Sequence, residues 1–529
     1  MNDHRWWQDG IIYQVYPRSF LDSNQDGIGD LPGITARLDY LAGLGIDAIW
    51  LSPFYPTPDA DFGYDISDHT QVDARFGTLQ DFDELLQQAH TRGIRLVLDL
   101  VLNHTSDQHA WFKESRSSLR NPKRDWYMWR DEKNNWQSEP GGSAWTYDAA
   151  TRQYYYHSYL PEQPDVNWRN PEVREAQLGV VKFWLERGVD GFRLDVFNVC
   201  FKDAEFKNNP TKFGLRKFDQ QEHLYDADQP EMIPLLNDLR TLLDKYPNTY
   251  AVGETFLPTT EKSAKFVGMD RLHAAFSFDF SVKNLIYPWK PDWLLKRILH
   301  RERIFEGELW PTTVMSNHDV RRAASRYSHA EDDAQARLAM TILLTLRGTP
   351  FIYYGEEIGM RDLKLKRDQI MDPPGKRYWP LFKGRDGCRG PMQWDDSTLA
   401  GYSSVQPWLP VHPDHITRNI SMQEKDPESM LNLTRKLIAL RRQYPALQKG
   451  SFTALAGNSR QVLAYLRTFE KQNILVAMNF SGRKARITLE AEHTRRNWRT
   501  LHPGTNIETF MTDHLELPAH GISIWVAED

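Results

Sequence analysis

The sequence predicts an α/β protein built on a (β/α)8 TIM barrel. An inserted domain follows its third strand, and a C-terminal antiparallel, β-sandwich-like domain ends the chain. Three observations carry this expectation. Eight short, β-rich apolar segments recur between Ile11 and Tyr354, with helical spacing in the stretches between them. Several of the eight are apolar on both alternations, as strands of a parallel sheet buried on two faces are. Ionisable and polar residues gather at the C-terminal ends of four of them, the face on which such barrels carry chemistry.

In order, the predicted strands are Ile11–Tyr16, Asp47–Leu51, Arg95–Leu102, Gly191–Val196, Tyr250–Gly253, Ala274–Phe280, Thr312–Met315 and Pro350–Tyr354. Among the intervening helices, Leu79–Arg92 places Leu79, Phe82, Leu85, Leu86 and Ala89 on one face, and Gly93 follows as a stop. Pro171–Arg187 repeats the pattern and ends at Gly188. The stretch 104–168 has many Trp, Tyr and charged residues without a clear period. It is too long for a loop and reads as a small inserted domain. That leaves 1–103 and 169–449 for the barrel, whose last helix is Leu431–Tyr444. A second insertion, about 359–425, is rich in Pro, Gly and Trp. From 450 to 529 short strands alternate with polar turns: Phe452–Leu455, Gln461–Leu466, Asn473–Met478, Lys484–Leu489 and Ile522–Val526.

Composition narrows the function. The 529 residues include 65 Lys plus Arg against 71 Asp plus Glu, a net charge of −6. With no basic stripe and no phosphate-binding glycine loop, a nucleic-acid partner is not expected. Hydrophobic residues make up 40% and aromatic residues 12%, which excludes a charge-repelled disordered chain. No window nears 18 consecutive apolar residues and the mean hydropathy is −0.62, so no membrane span is expected. No signal-peptide pattern opens the chain, and Cys200 and Cys388 are too few for a disulfide framework. The expectation is a cytoplasmic monomer or homodimer, its two thiols packed and inert. Eighteen tryptophans suit stacking on sugar rings, although core packing accounts for most such residues.

The polar strand ends are specific. The third strand runs into Asp99-Leu-Val-Leu-Asn103-His104, the fourth contains Arg193-Leu-Asp195, the fifth ends in Gly253-Glu254, and the seventh reaches Asn317-His318-Asp319. Unpaired buried charge is expensive, so four strands ending this way on one barrel face define a site. Arg193 and Asp195 are two apart and share a strand face, and the cation favours the ionised carboxylate. That suits a nucleophile. Among neighbouring carboxylates one should hold its proton, which suits Glu254 as a general acid. A carboxylate nucleophile with a carboxylic acid is the retaining glycosidase arrangement. Clustered acids and histidines also suit metal-assisted hydrolysis, but no His-x-His or His-Glu-x-x-His pair supports a zinc site.

These strings identify a resemblance. Asp99–His104 (DLVLNH), Gly191–Val196 (GFRLDV), Gly253–Thr255 (GET) and Ser316–Asp319 (SNHD) resemble the four signature regions of the α-amylase superfamily, glycoside hydrolase family 13. Gln163–Asn167 (QPDVN), Gly348–Glu357, Arg385–Trp394 (RDGCRGPMQW) and the opening Ile11–Gly33 extend it in the same order over nearly the whole chain. The opening and QPDVN resemble the α-glucosidase and oligo-1,6-glucosidase branch. The resemblance implies Asp195 as nucleophile, Glu254 as general acid/base and Asp319 as the third carboxylate, which stabilises the transition state. It places Asp65, His104, Arg193, His318 and Arg389 around the terminal glucose. An Asp65–Arg389 ion pair is expected to close the pocket end. Glu139, Glu162 and Asp165 are expected to be solvated surface.

The loop Asp22-Ser-Asn24-Gln-Asp26-Gly27-Ile28-Gly29-Asp30 has oxygen donors at alternate positions and Gly at position six, like the start of an EF-hand. Gly33 at position twelve excludes a true one. The loop also resembles the branch's metal loop. That likeness implies a structural calcium, with magnesium the alternative, on Asp22, Asn24, Asp26 and Asp30 and the Ile28 carbonyl. No organic cofactor is implied.

The expected activity is that of an exo-acting retaining α-glucosidase on small oligosaccharides or glucosides, able to transfer glucose to acceptors. A glucosyltransferase or sucrose isomerase of the same family is the alternative. Val196 after the nucleophile goes with α-1,6 preference in relatives, while the 361–383 segment departs from the oligo-1,6-glucosidase pattern. Both linkages therefore stay open.

Overall fold

The computed structural model describes residues 5–281, 289–328, 332–455, 460–494, 496–502, 509–510 and 514–528. Eight parallel strands form the barrel: β1 Ile12–Val15, β2 Ala48–Leu51, β3 Arg95–Leu100, β4 Gly191–Leu194, β5 Tyr250–Gly253, β6 Ala274–Ala275, β7 Thr312–Val314 and β8 Thr349–Tyr353. They pair in the order β7-β8-β1-β2-β3-β4-β5-β6. The seam between β6 and β7 is bridged by the Thr312 hydroxyl. Thr312 Oγ1 donates to the Ala275 carbonyl (3.2 Å) and accepts from the Ser277 amide (3.1 Å).

Each predicted strand is present. The sixth is shorter than the expected Ala274–Phe280, because side chains take over from the ladder beyond Ala275: Ser277 bonds Asp279, which also accepts from Thr260 (2.7 Å). Alternation within the strands sorts residues between two cores. Ile12, Ala48, Trp50, Val97, Val252, Val314 and Phe351 fill the barrel interior. Tyr13, Ile49, Leu96, Leu98, Phe192 and Ile352 face the helices. A residue two positions beyond an interior one also points inward. Val97 leads to Asp99, Gly191 to Arg193 and Asp195, Val252 to Glu254, and Val314 to Ser316 and His318.

Capping fixes the helices where the sequence placed them. The helix Leu79–Thr91 starts on a reciprocal Thr78–Asp81 capping box, and Gly93 follows with φ +71°. The helix Pro171–Glu186 starts on Asn170, whose side chain accepts from the amides of Glu172 and Val173. After β3, the insertion contains the helix Ala110–Ser117 and a three-stranded antiparallel sheet of Trp129–Arg130, Gln153–Tyr156 and Trp145–Asp148, in that order. Its core is Trp136, Trp145, Tyr156, Met128 and Ala144, so these tryptophans pack rather than bind.

The C-terminal domain pairs Ser451–Ala454, Val462–Phe469, Gln472–Asn479, Ile522–Glu528, Trp498–His502 and Thr509–Phe510 into one sheet. Ala485–Thr488 and His514–Leu517 form a second, two-stranded sheet. Trp498, Trp525, Ile487, Leu515 and Leu517 share a core. Trp498–His502 and His514–Leu517 were not among the predicted strands. Their burial is interrupted by half-exposed polar residues, which leaves little apolar pattern to read. No helix among the described residues is long and apolar enough to cross a membrane.

Candidate active site

The carboxyl ends of the barrel strands open into a cleft of about 1130 Å³, lined by Asp195, Glu254, Asp319, Tyr64, His104 and Tyr159 among others. At its floor Arg193 organises the carboxylates. Its Nη1 donates to Asp99 (2.7 Å) and to Asp195 Oδ1 (2.8 Å), and its Nη2 bonds Glu254. The guanidinium is buried over the Trp50 ring, 5.1 Å from its centroid. Burial works against its charge, and Asp99, Tyr64 and Asp195 more than offset that. Burial likewise pushes the Asp99 carboxyl up to about 7 against the pull of Arg193.

A hydrogen-bonded chain fixes His318. Gln14 Nε2 lies 2.8 Å from His318 Nδ1, and His318 Nε2 lies 2.7 Å from the Tyr64 hydroxyl. Tyr64 in turn donates to Asp99 (3.0 Å). Burial holds the His318 ring well below its usual pKa, so it is neutral. With the Gln14 amide as donor, its proton sits on Nε2. The ring is stacked between Tyr64 (5.3 Å) and Tyr16 (5.9 Å). Its Nε2 lies 3.7 Å from Asp319. His104 Nε2 contacts the Tyr64 carbonyl and Gln163, both at 3.1 Å.

The expected Asp65–Arg389 pair is not formed. Asp65 is fully buried and turned into its own loop, accepting from Thr57 Oγ1 (2.8 Å) and the amides of Ala60 and Asp61 (both 2.9 Å). Burial raises it to about 6. Arg389 donates to Asp319 (3.0 Å) and to the His318 carbonyl (2.8 Å). Asp61 and Arg385, both lining the cleft, form an ion pair instead, 2.5 Å apart. Both partners stand four residues before the expected ones. Asp65 serves instead to shape the turn that presents Asp61. Arg385 also reaches Asp319 (3.3 Å) and is clasped by Asp372 (2.6 Å).

Asp165 also departs from expectation. Far from being solvated, it is fully buried and paired with the equally buried Lys202. It further accepts from Ser158 (amide 2.7 Å, hydroxyl 2.6 Å) and Asn103 (2.9 Å). Lys202 also donates to Asn103 (2.9 Å) and to the Val199 carbonyl. This knot ties the inserted domain to the loops after β3 and β4. Glu139 lines the cleft, half-buried, while Glu162 is exposed as expected.

In the 22–30 loop the acids accept from the loop's own donors and, for Asp22, from Ser403. Asp22 accepts from the amides of Gln25 (2.7 Å) and Gly27 (2.9 Å) and from Ser403. Asp26 accepts from the Ile28 amide (2.8 Å) and Asn24 (3.1 Å). Asp30 caps the helix Leu31–Ala36 through the Gly33 amide (2.7 Å) and bonds Ser23. Among the described residues no three His, Cys, Asp or Glu side chains converge as an ion would need. The donors are of the right chemical type for calcium, and Asp22, Asn24, Asp26 and Asp30 each accept a backbone amide as placed. Both cysteines are buried and free, and burial pushes Cys200 up to about 12. Neither is a ready nucleophile.

Sequence alone does not single out Asp61, Arg385, Tyr64, Lys202 and Asp372 as site residues. The signal for the first two was present as tandem acids and tandem arginines with matching four-residue spacing, and nothing in the sequence says which members meet.

A barrel with an insertion after β3 and three carboxylates around a buried arginine is the architecture of an α-amylase-type glycoside hydrolase. The α-amylase catalytic-domain model matches residues 14–450, and the maltogenic amylase C-terminal-domain model matches 452–524. The chain belongs to the α-amylase family, glycoside hydrolase family 13. It is 43% identical to a probable α-glucosidase of Rhizobium meliloti, over 98% of this chain and 96% of that one. It is 40% identical to an oligo-1,6-glucosidase of Parageobacillus thermoglucosidasius, over 90% of each. Among solved structures, the α-glucosyl transfer enzyme XgtA superposes with a TM-score of 0.93 at 42% identity, over 99% of this chain and 100% of that one.

Proposed function

We propose that this enzyme is an exo-acting, retaining α-glucosidase that removes one terminal glucose from short α-glucosides. The observation that carries this reading is the Asp61–Arg385 pair beside Asp319, in the cleft that also holds Asp195 and Glu254, read as a closed end where an endo-acting enzyme needs an open channel. Asp195, bonded to Arg193, attacks the anomeric carbon. Glu254 protonates the departing oxygen, for which it must turn from the guanidinium toward the bond being cleaved. Asp319 grips the hydroxyls of the distorting ring, and the neutral His318, bonded to Tyr64 and 3.7 Å from Asp319, backs the wall of the glucose pocket. In the second step Glu254 takes a proton from water or from a sugar or phenolic hydroxyl, and that nucleophile opens the glucosyl ester on Asp195. Proton NMR of fresh product tests the mechanism. α-Glucose appearing first supports retention, and β-glucose first rejects it.

The second reading is transfer. It is favoured by the likeness to XgtA and to an isomaltulose synthase from Erwinia rhapontici (TM-score 0.90, 33% identity). Chromatography of products from maltose, isomaltose and sucrose, with and without acceptor, separates the two. Free glucose supports the hydrolase, new glucosides support transfer, and isomaltulose from sucrose supports isomerisation.

We further infer a cytoplasmic enzyme, monomer or homodimer. The donor types of the 22–30 loop suit a structural calcium, or magnesium, which would have to draw Asp22 and Asp30 away from their present partners. Elemental analysis after dialysis, with melting in chelator, tests it. No metal and an unchanged melt leave the loop as a hydrogen-bonded turn.

A further inference from the structure

The 361–383 segment delivers a buried carboxylate to Arg385, on the wall of the cleft. Asp372 is fully buried. Its Oδ1 accepts from Arg385 Nε (2.9 Å) and Nη2 (2.6 Å), and its Oδ2 accepts from the Arg385 amide (3.1 Å). Burial by itself raises this carboxyl, and Arg385 overrides that to hold it below the usual range. Asp372 is itself placed by Asp386, whose Oδ2 accepts from the amides of Met371 (2.6 Å) and Asp372 (2.9 Å). Gly384, at φ +80°, lets the two strands of this turn close, since a Cβ there would lie 2.6 Å from Asp372 Oδ2.

One guanidinium thus serves three carboxylates. Asp372 holds it side-on by two bonds, Asp61 meets its Nη2 end, and Asp319 lies 3.3 Å from its Nη1. A planar fork held on one edge can aim its remaining donors, while an unheld one settles on the nearest acids. Asp319 has to engage substrate. Without Asp372, the whole charge of Arg385 would fall on Asp61 and Asp319.

We infer that Asp372 is a positioning residue for the terminal-glucose pocket: it orients Arg385 toward Asp61 and limits its hold on Asp319. The inference rests on the exo-glucosidase reading. It assigns the 361–383 segment a part in substrate binding, acting through Arg385 and without touching sugar.

The test is a double-mutant cycle on the intact enzyme, using p-nitrophenyl α-glucoside and inhibition by glucose. Asp372→Asn should raise KM and the glucose inhibition constant in parallel, about tenfold, with a smaller fall in kcat. Asp61→Asn should do the same through the same arginine. If Asp372 acts only through Arg385, the double variant should bind no worse than twofold below Asp61→Asn alone. A merely structural Asp372 would lower the melting temperature and multiply with Asp61→Asn, and that result overturns the inference. An Asp372→Asn enzyme with KM within twofold of the parent overturns it too. Should Asp372→Asn fail to fold, Asp372→Glu in the same cycle carries the comparison, with the same outcomes. A parent that neither cleaves α-glucosides nor binds glucose overturns the functional reading, and this inference with it.

Discussion

Replacing Lys202 with Met should destabilise the enzyme by a readable amount. The ammonium is buried and satisfies Asp165, Asn103 Oδ1 and the Val199 carbonyl. Met fills similar volume, so packing is retained and charge is lost. Breaking a buried pair by removing one partner costs about 3–5 kcal/mol. Asp165 keeps its bonds from Ser158 and Asn103, which argues for the middle of that range, about 4 kcal/mol. Unfolding entropy near about 2.1 cal/mol/K per residue, over a barrel unit of roughly 440 residues, gives about 0.9 kcal/mol/K. The expected shift in melting temperature is therefore about 4 °C downward by scanning calorimetry. The double variant Asp165→Asn/Lys202→Met removes the orphaned charge and should recover at least half of it. Equal melting temperatures for the single and double variants would show that the buried charge is not what Lys202 compensates, and the reasoning would fail.

Other consequences are as direct. Asp195→Asn should lower kcat by about 10⁴-fold or more while the fold and glucose binding survive, since an amide cannot form the glucosyl ester; residual turnover within tenfold of the parent would move the nucleophile elsewhere. Burial raises Glu356 from its usual 4.5 to about 7, with Ser316 and the Tyr353 amide bonded to it. Its contribution to stability is full below about pH 4.5 and is lost as pH rises through 7, about 3 kcal/mol in all. Glu356→Gln should flatten that part of the stability profile between pH 5 and 8, read by urea midpoints, and an unchanged slope would refute the assignment. Val196, at the rim beside Asp195, should tune linkage: Val196→Thr is expected to shift the maltose-to-isomaltose ratio of kcat/KM by about tenfold, within the about 1–3 kcal/mol one side chain supplies.

What the sequence disclosed divides along physical lines. All eight barrel strands were readable, because strands buried on both faces are written as continuous apolar runs. So were the carboxylates, because an acid at a strand end is anomalous against that background. Asp65 and Arg389 do not pair while Asp61 and Arg385 do, and sequence cannot tell these apart, because the two acids, like the two arginines, differ only in which way their loops turn. Asp165 was read as surface because its partner Lys202 lies 37 residues away, and burial through long-range pairing leaves no local trace. The sixth strand was drawn too long because Phe276, Phe278 and Phe280 keep the apolar alternation after Ser277 and Asp279 have ended the ladder.

Arg441 and Arg467 lie fully buried beneath the barrel. Arg441, from the last barrel helix, donates to the carbonyls of Leu344, Leu346, Gly348 and Leu447. Arg467, from the C-terminal sheet, donates to those of Thr345, Leu447 and Gly450. These carbonyls cluster where the helix Ala334–Thr345 hands the chain to β8, the strand that closes the ring against β1. The trailing domain thus finishes a splice in the catalytic body and is no detachable accessory. A gene cut at residue 450 would encode an unfinished barrel, and a foreign module joined there would have to bring its own arginine to the same spot.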